Sequence, residues 1–317
     1  MKLKKKLTLL FSLVFSVSLL LVACGETDTQ LQLGTGSPGG TYYPLGTEIA
    51  NVVTAEVEGL SVSAVSSGAS VENLSMIGQG EMDLGMTVHL PAQDALNGVG
   101  AFESPVENFG FMGHIYPEVM QVVVRADSGI DSIADLAGKR VAIGPAGSGT
   151  QDAATLILEA YGVEDGDYTP FAEGFGNAAG QLQDGNIDAL FGLLGLPASA
   201  VTELALNRDI KILDVEGDAL EYILENSGYG HLEIPADAYD FLDAPVSTVT
   251  AYAVLVGSLD SVDEDLGYEI TKAMFEKAGN VTHDQARHLT KDNALLGSEG
   301  LPFHPGAERY FQEIGLR

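Results

Sequence analysis

Two segments of the chain repeat one another in outline. "IGQGEMDLGM" (residues 77–86) and "LQDGNIDALF" (residues 182–191) each read glycine, any residue, apolar, Asp, apolar, with Gly80 and Asp83 in one and Gly185 and Asp188 in the other. The two copies lie 105 residues apart, Gly80 to Gly185. Upstream of each stands a glycine-rich loop, "GTGSPGG" from Gly34 and "GPAGSGT" from Gly144. One match of this kind is chance. Two at a similar offset predict two domains wound the same way, in too few copies for a solenoid.

Within that frame, short apolar runs alternate with helical patterns, as in parallel α/β proteins. "RVAI" (residues 140–143) reads as a strand, and "TQDAATLILEAYG" as a helix beginning near Thr150 and stopped by Gly162. "EVMQVVVRAD" (residues 118–127) and "STVTAYAVLVG" (residues 247–257) are β-branched runs long enough to carry the chain from one domain to the other and back. The expected organisation is a discontinuous first domain (31–122 plus 250–317), an inserted second domain (123–249) and two strand crossings as the hinge. A cleft between domains is a preferred place for a ligand.

The start of the chain belongs to neither domain. Residues 1–6 carry four lysines and no acid, residues 7–23 are almost wholly apolar, and "LVACG" closes the stretch. A basic start, an apolar run and small residues at its end describe a secretory signal over 1–23. Leu-Val-Ala-Cys fits the bacterial lipobox, which makes Cys24 the lipidated first residue and 24–30 a tether. An uncleaved membrane anchor is the alternative reading. Cys24 is the single cysteine, so the chain can form no internal disulfide.

The formal net charge of the whole chain is −30, and removal of four lysines with the signal takes it to −34. Such a surface repels nucleic acid and anionic lipid, leaving the lipid anchor as the expected contact with the membrane. The excess of acid is either an adaptation to a saline medium or only an acidic soluble surface.

The loop from Gly34 formally matches the dinucleotide fingerprint, Gly34-x-Gly36-x-x-Gly39, between a strand and a helix. A lone match is weak, and a secreted protein meets no pool of that cofactor. The loop from Gly144 has phosphate-loop glycine spacing up to Gly149-Thr150 but lacks the lysine that neutralises a triphosphate. What remains is simpler. Each loop presents backbone N–H groups at a helix N-terminus, where the positive end of the helix dipole attracts an anion without any formal cation. Gly36, Ser37, Gly39, Gly40 and Thr41 would serve one domain and Gly147, Ser148, Gly149 and Thr150 the other, with hydroxyls adding hydrogen bonds. A plain structural turn is the competing reading for each loop.

Further candidates surround these loops. In "VSSGASVEN" Ser70 could cap the next helix, while Ser66, Ser67 and Asn73 could face the cleft. Tyr42 and Tyr43 could wall the site or pack in a core. Arg125, on a hinge strand, could pair with a ligand carboxylate or form an ion pair between domains. Asp83 and Asp188 read as turn acids at strand starts. His89 follows a strand and could reach the cleft or sit in the core. The six histidines show no metal spacing, and no Gly-x-Ser-x-Gly elbow is present, so neither metal, cofactor nor catalysis is expected.

Taken together, "LGTGSPGGTYYPLGTEIANVV", "SSGASVENLSMIGQGEMDLGM", "MGHIYPEVMQVVVRADSGIDSIADLAGKRVAIGPAGSGT" and "LPFHPGAERYF" resemble the TAXI family, extracytoplasmic solute receptors of TRAP transporters. The resemblance runs over nearly all of residues 31–315. It implies a type II periplasmic-binding-protein clamshell of two α/β domains joined by two hinge strands, acting as a monomer. It also implies a small carboxylate such as glutamate as ligand and the TRAP membrane permease as partner. On this resemblance the ligand regions are 34–43, 66–73 and 147–150. A receptor for an ABC importer and, further off, a secreted enzyme on the same fold are the alternatives.

Overall fold

The computed structural model describes residues 29–317. Cys24, the signal segment and the first part of the tether lie outside the described residues. Among the described residues no helix is long and apolar enough to cross a membrane.

Each half builds the same unit. In the first, β1 (Thr29–Gly34) lies parallel between β2 (Leu60–Val65) and β3 (Leu84–Val88). In the second, β5 (Arg140–Ala142) lies parallel between β6 (Thr169–Phe171) and β7 (Ala189–Leu194). Two long strands join them: β4 (Phe109–Arg125) and β10 (Val246–Ser258) pair antiparallel with each other, β10 also along β3 and β4 along β7. β8 (Ile210–Leu213) and β9 (Gly230–Ile234) extend this sheet from β4 and β10. The sheet is therefore mixed, parallel within each half and antiparallel where the halves join. The apolar runs expected to form hinges are longer than foreseen, and β4 begins nine residues before Glu118, at Phe109. Strands covered on both faces need no polar alternation, which is why β4 reads as one apolar run.

Helices follow the strands. α1 (Tyr42–Glu56) follows β1, α2 (Ser70–Gln79) follows β2, and α3 (His89–Asn97) follows β3. In the second half α4 (Gly149–Ala160), α5 (Phe175–Asp184), α6 (Ser199–Asn207) and α7 (Gly217–Asn226) follow β5, β6, β7 and β8. α8 (Glu264–Glu276) and α9 (Pro305–Glu313) pack back on the first half. One apolar cluster holds residues 31–116 and 253–311, and two others draw almost entirely on residues 119–251.

The repeat seen in the sequence has a physical meaning. α2 and α5 both stop at a left-handed glycine, Gly80 (φ 74°) and Gly185 (φ 77°), where a side chain would be strained. Three residues later each Asp ties its strand to the neighbour. The Gln32 amide donates to the Asp83 carboxylate (2.8 Å) and the Asp83 amide returns to the Gln32 carbonyl (3.3 Å). The same reciprocal pair joins Arg140 and Asp188 at 2.9 and 2.8 Å. Both acids are strand ties, in keeping with their reading as turn acids.

Asp188 also accepts two hydrogen bonds from the Arg140 guanidinium, at 3.0 and 2.8 Å. Those bonds, with help from the Arg140 amide, hold its carboxyl below the ordinary range despite partial burial. A depressed carboxylate stabilises the fold above its unfolded-state pKa, and that contribution is lost as pH falls through the folded value. Asp188→Asn should therefore lower stability at neutral pH by about 1–2 kcal/mol. The gap from wild type should close on acidification below the carboxylate range, as thermal denaturation at a series of pH values would show.

Candidate functional site

Four helices begin around one cavity. Thr41 and Tyr42 at the start of α1, Ala69 and Ser70 at α2, Ser148 and Gly149 at α4, and Phe175 at α5 all line it. Each helix follows the C-terminal end of a parallel strand, the edge at which open α/β sheets bind ligands. The space measures about 50 Å³. A cavity that holds benzene is on the order of 150 Å³, so this one suits a compact guest and not a nucleotide.

The hydroxyls around the cavity share one arrangement. Ser70 Oγ accepts from the Val88 amide (3.0 Å), Thr41 Oγ1 from the Gly195 amide (2.9 Å) and Thr150 Oγ1 from the Leu193 amide (3.3 Å). With their acceptor side engaged by a backbone N–H, these three hydroxyls keep their own protons to donate. The first-turn amides of α2 and α4, Ser70 and Gly149, find no acceptor among the described residues. Donors outnumber acceptors here, and the lining includes no Lys, Arg or His.

Of the residues singled out in the sequence, Gly36, Ser37, Gly40, Thr41, Tyr42, Ser70, Ser148, Gly149 and Thr150 come together at this cavity. The others do not, for identifiable reasons. A Cβ on Gly39 would lie 2.5 Å from the Gly176 backbone, so Gly39 is where the two halves touch. The Gly147 amide is bound by Gln151 (3.1 Å), and its carbonyl accepts across the halves from the Val71 amide (3.0 Å). Tyr43 is half-buried on α1, away from the lining. Ser66 donates to the Gly36 carbonyl, Ser67 to the Thr35 carbonyl and to Asn73, and Asn73 to the Thr35 and Met86 carbonyls (both 2.8 Å). That network fastens the ends of β1, β2 and β3 together and has no donor left for a guest.

Three further expectations change, and His89 keeps its core reading. Ser70 is the first residue of α2 and caps nothing, because its oxygen is taken by Val88. Ser148 is the cap of α4, accepting from the Gln151 amide (3.1 Å) and donating to the Pro145 carbonyl (2.7 Å), so its hydroxyl is fully used. Arg125 reaches neither cavity nor partner half: its guanidinium donates to the Leu182 and Ile187 carbonyls at the end of α5. His89 lies in the core, its Nδ1 accepting from the Tyr252 amide (3.2 Å), and burial pushes its pKa down to about 4.

The residue that sequence reasoning passed over is Glu118. It sits on β4 in the cavity wall and is 2 % exposed. The Tyr42 hydroxyl donates to its Oε1, and no other hydrogen bond reaches the carboxylate among the described residues. Burial pushes its pKa up to about 8, with the Tyr42 hydrogen bond opposing. Next to it the Tyr116 hydroxyl is fully buried, near the Thr41 hydroxyl but with no full hydrogen bond among the described residues. The available signal was an acid opening an otherwise apolar run. The start of α5 was also missed, although "EGFGNAAG" holds three glycines, as many as the loop from Gly144.

A model of the NMT1-like family matches residues 33–315. The chain belongs to that family. Solved structures place this NMT1-like chain in the periplasmic-binding-protein-like α/β fold. It is similar to PhnD1 from Prochlorococcus marinus in complex with methylphosphonate (TM-score 0.57, 11 % identity, 92 % of this chain and 100 % of that one). It is similar also to the alkanesulfonate-binding protein SsuA from Xanthomonas axonopodis pv. citri bound to MOPS (0.51, 19 %, 89 % and 83 %). A third is a putative L-cystine ABC transporter from Listeria monocytogenes (0.51, 17 %, 86 % and 97 %). At these identities the likeness is one of fold, and the names speak of binding and transport, not of catalysis.

A carboxyl such as Glu118, whose folded pKa is raised, contributes stability in full below its unfolded value, and loses it as pH rises through the folded value near 8. Glu118→Gln should match wild type at about pH 4 and melt higher than wild type at about pH 9. Parallel stability profiles across that range would mean the carboxyl is not held in a desolvated cavity.

Proposed function

We propose that this NMT1-like protein is an extracytoplasmic solute-binding protein, which captures a small anionic solute between its two halves and presents it to a membrane transporter. The observation that carries the reading is the convergence of four helix N-termini and three proton-bearing hydroxyls, drawn from both halves, on one compact cavity. Helix-end amides and hydroxyls satisfy an anion without a formal cation, each helix terminus contributing about 0.3–1 kcal/mol. We place the lobes at 31–122 plus 250–317 and at 123–249, with β4 and β10 as the hinge. The signal pattern and Cys24 support a lipid-tethered location outside the cytoplasm, and the protein works as a monomer.

Closure follows from the geometry. The lobes meet through Thr41 and Gly195, Val71 and Gly147, and Gly39 and Gly176. A solute held by one lobe adds contacts with the other only when these meet, and that difference in affinity shifts the equilibrium toward the closed form. The transporter then reads the closed shape. For the transporter itself, the ABC-importer reading has the better support, since SsuA- and PhnD-like binding proteins and the L-cystine transporter share this fold. The glycine motifs that resemble TAXI receptors support the TRAP reading as the second.

A calorimetric and thermal-shift panel of amino acids, carboxylates, sulfonates and phosphonates, run at high salt, tests the capture. One class should stabilise the protein by about 2.7 kcal/mol at a hundredfold excess over its Kd, and a panel without a single binder would remove the reading. Uptake by proteoliposomes carrying the transporter, driven by ATP or by a sodium gradient, separates the two partners. Gly39→Val should weaken the bound class by about 100-fold or more, because it obstructs only the closed form, while the melting temperature without solute stays near wild type.

A further inference from the structure

Glu118 is an anomaly in a site built of donors. Its carboxylate faces the cavity with one hydrogen bond, from Tyr42 to Oε1, and its other oxygen has no partner among the described residues. The titratable groups turned toward it are phenols: Tyr42 from α1, Tyr116 from β4 and Tyr229 from the turn before β9. Burial raises all three phenols above their ordinary range, so they remain neutral. No Lys, Arg or His lines the cavity. An ionised carboxylate in such a place lacks the cation that buried charges require.

Resting on the receptor reading above, we propose that the solute is a small amino acid, its carboxylate held by the helix N-termini and its ammonium group by Glu118. The guest then brings both missing partners. Its carboxylate answers the surplus donors of Ser70, Thr41, Thr150 and the α4 amides. Its ammonium has three N–H donors, for which the free Glu118 oxygen and the unpartnered Tyr116 hydroxyl supply two acceptors. A dicarboxylate without an amine leaves a negative group facing Glu118, and the two cannot both ionise at close range.

Charge balance makes binding proton-linked. In the empty cavity a carboxyl with a pKa of about 8 is mostly protonated at neutral pH. Taking up the ammonium ionises it, and the proton leaves to solvent. The competent, ionised fraction grows with pH, so apparent affinity should rise about tenfold per pH unit between pH 6 and 7.5.

Titration calorimetry on the mature protein tests this with glycine, alanine and glutamate beside acetate, propionate and glutarate, which lack the amine. Each amino acid that binds should exceed its amine-free partner by about 100-fold or more, with proton release visible as a buffer-dependent enthalpy. Glu118→Gln should remove that advantage and the pH dependence together, while affinity for the amine-free acids holds or improves. Tyr116→Phe, a milder change, should weaken amino acids alone. Equal binding of both sets, with Glu118→Gln without effect, overturns the inference and leaves the anion receptor standing. So does a preference for glutarate that strengthens below pH 7, since Glu118 would then act as a protonated donor. Binding of sulfonates or phosphonates alone also overturns it, whereas failure of every solute overturns the receptor reading with it.

Discussion

The antiparallel pairing of β4 with β10 is the constraint on which the rest depends. The ladder runs from Phe109 opposite Ser258 to Thr250 opposite Val119, and along it the core changes hands between Tyr116 and Val119 on one strand and Ala251 and Ala253 on the other. Each half hangs its parallel unit on one of these strands, β3 on β10 and β7 on β4. The helices that follow the parallel strands therefore start on the same side, and their N-termini meet. Glu118 and Tyr116 belong to β4, which puts the anomalous carboxylate in one of the two strands shared by both cores.

Much of this was legible because it is local. Gly80 and Gly185 ended helices as left-handed residues must, and Asp83 and Asp188 tied strand starts as turn acids do. The glycine loops opened helices where amides were expected. Long-range facts were not legible. Whether a serine beside a loop donates to a guest or to a neighbouring carbonyl depends on strands 30 residues away, as Ser66 and Gly36 show. Arg125 looked available for a ligand only because the end of α5, whose carbonyls it satisfies, is remote in sequence. Glu118 escaped notice because an acid at the start of an apolar run resembles a solvated strand end, and only the length of β4, extending back to Phe109, buries it.

Charge acts at two ranges in this molecule, and the two oppose. Forty-five acidic against fifteen basic residues surround the protein with a field that repels anions. Salt confines that repulsion to about 8–10 Å at moderate ionic strength. Around the cavity the amides and hydroxyls present partial positive charges a few ångströms from any guest, beside the apolar side chains of Phe175, Phe191 and Val88. At that distance and in a low dielectric, dipoles outweigh distant full charges. A strongly acidic chain could thus hold the proposed anionic group without spending one of its six arginines on it. The arginines whose contacts are described serve elsewhere, Arg125 and Arg140 on carbonyls and on Asp188, Arg309 on Glu264 and Asp265.

The same accounting explains why a carboxylate can persist among such dipoles. The Tyr42 hydrogen bond favours ionisation of Glu118, and burial without a cation opposes it; the opposition wins, with a pKa of about 8. That outcome leaves the group near balance at the pH of most media, so a modest local charge tips it either way. A carboxyl held at 4 would already be ionised whatever entered, and one held at 12 would stay neutral against any plausible guest. Only an intermediate value would let this wall carboxyl change state with the charge of a guest, as the proposed ammonium contact requires.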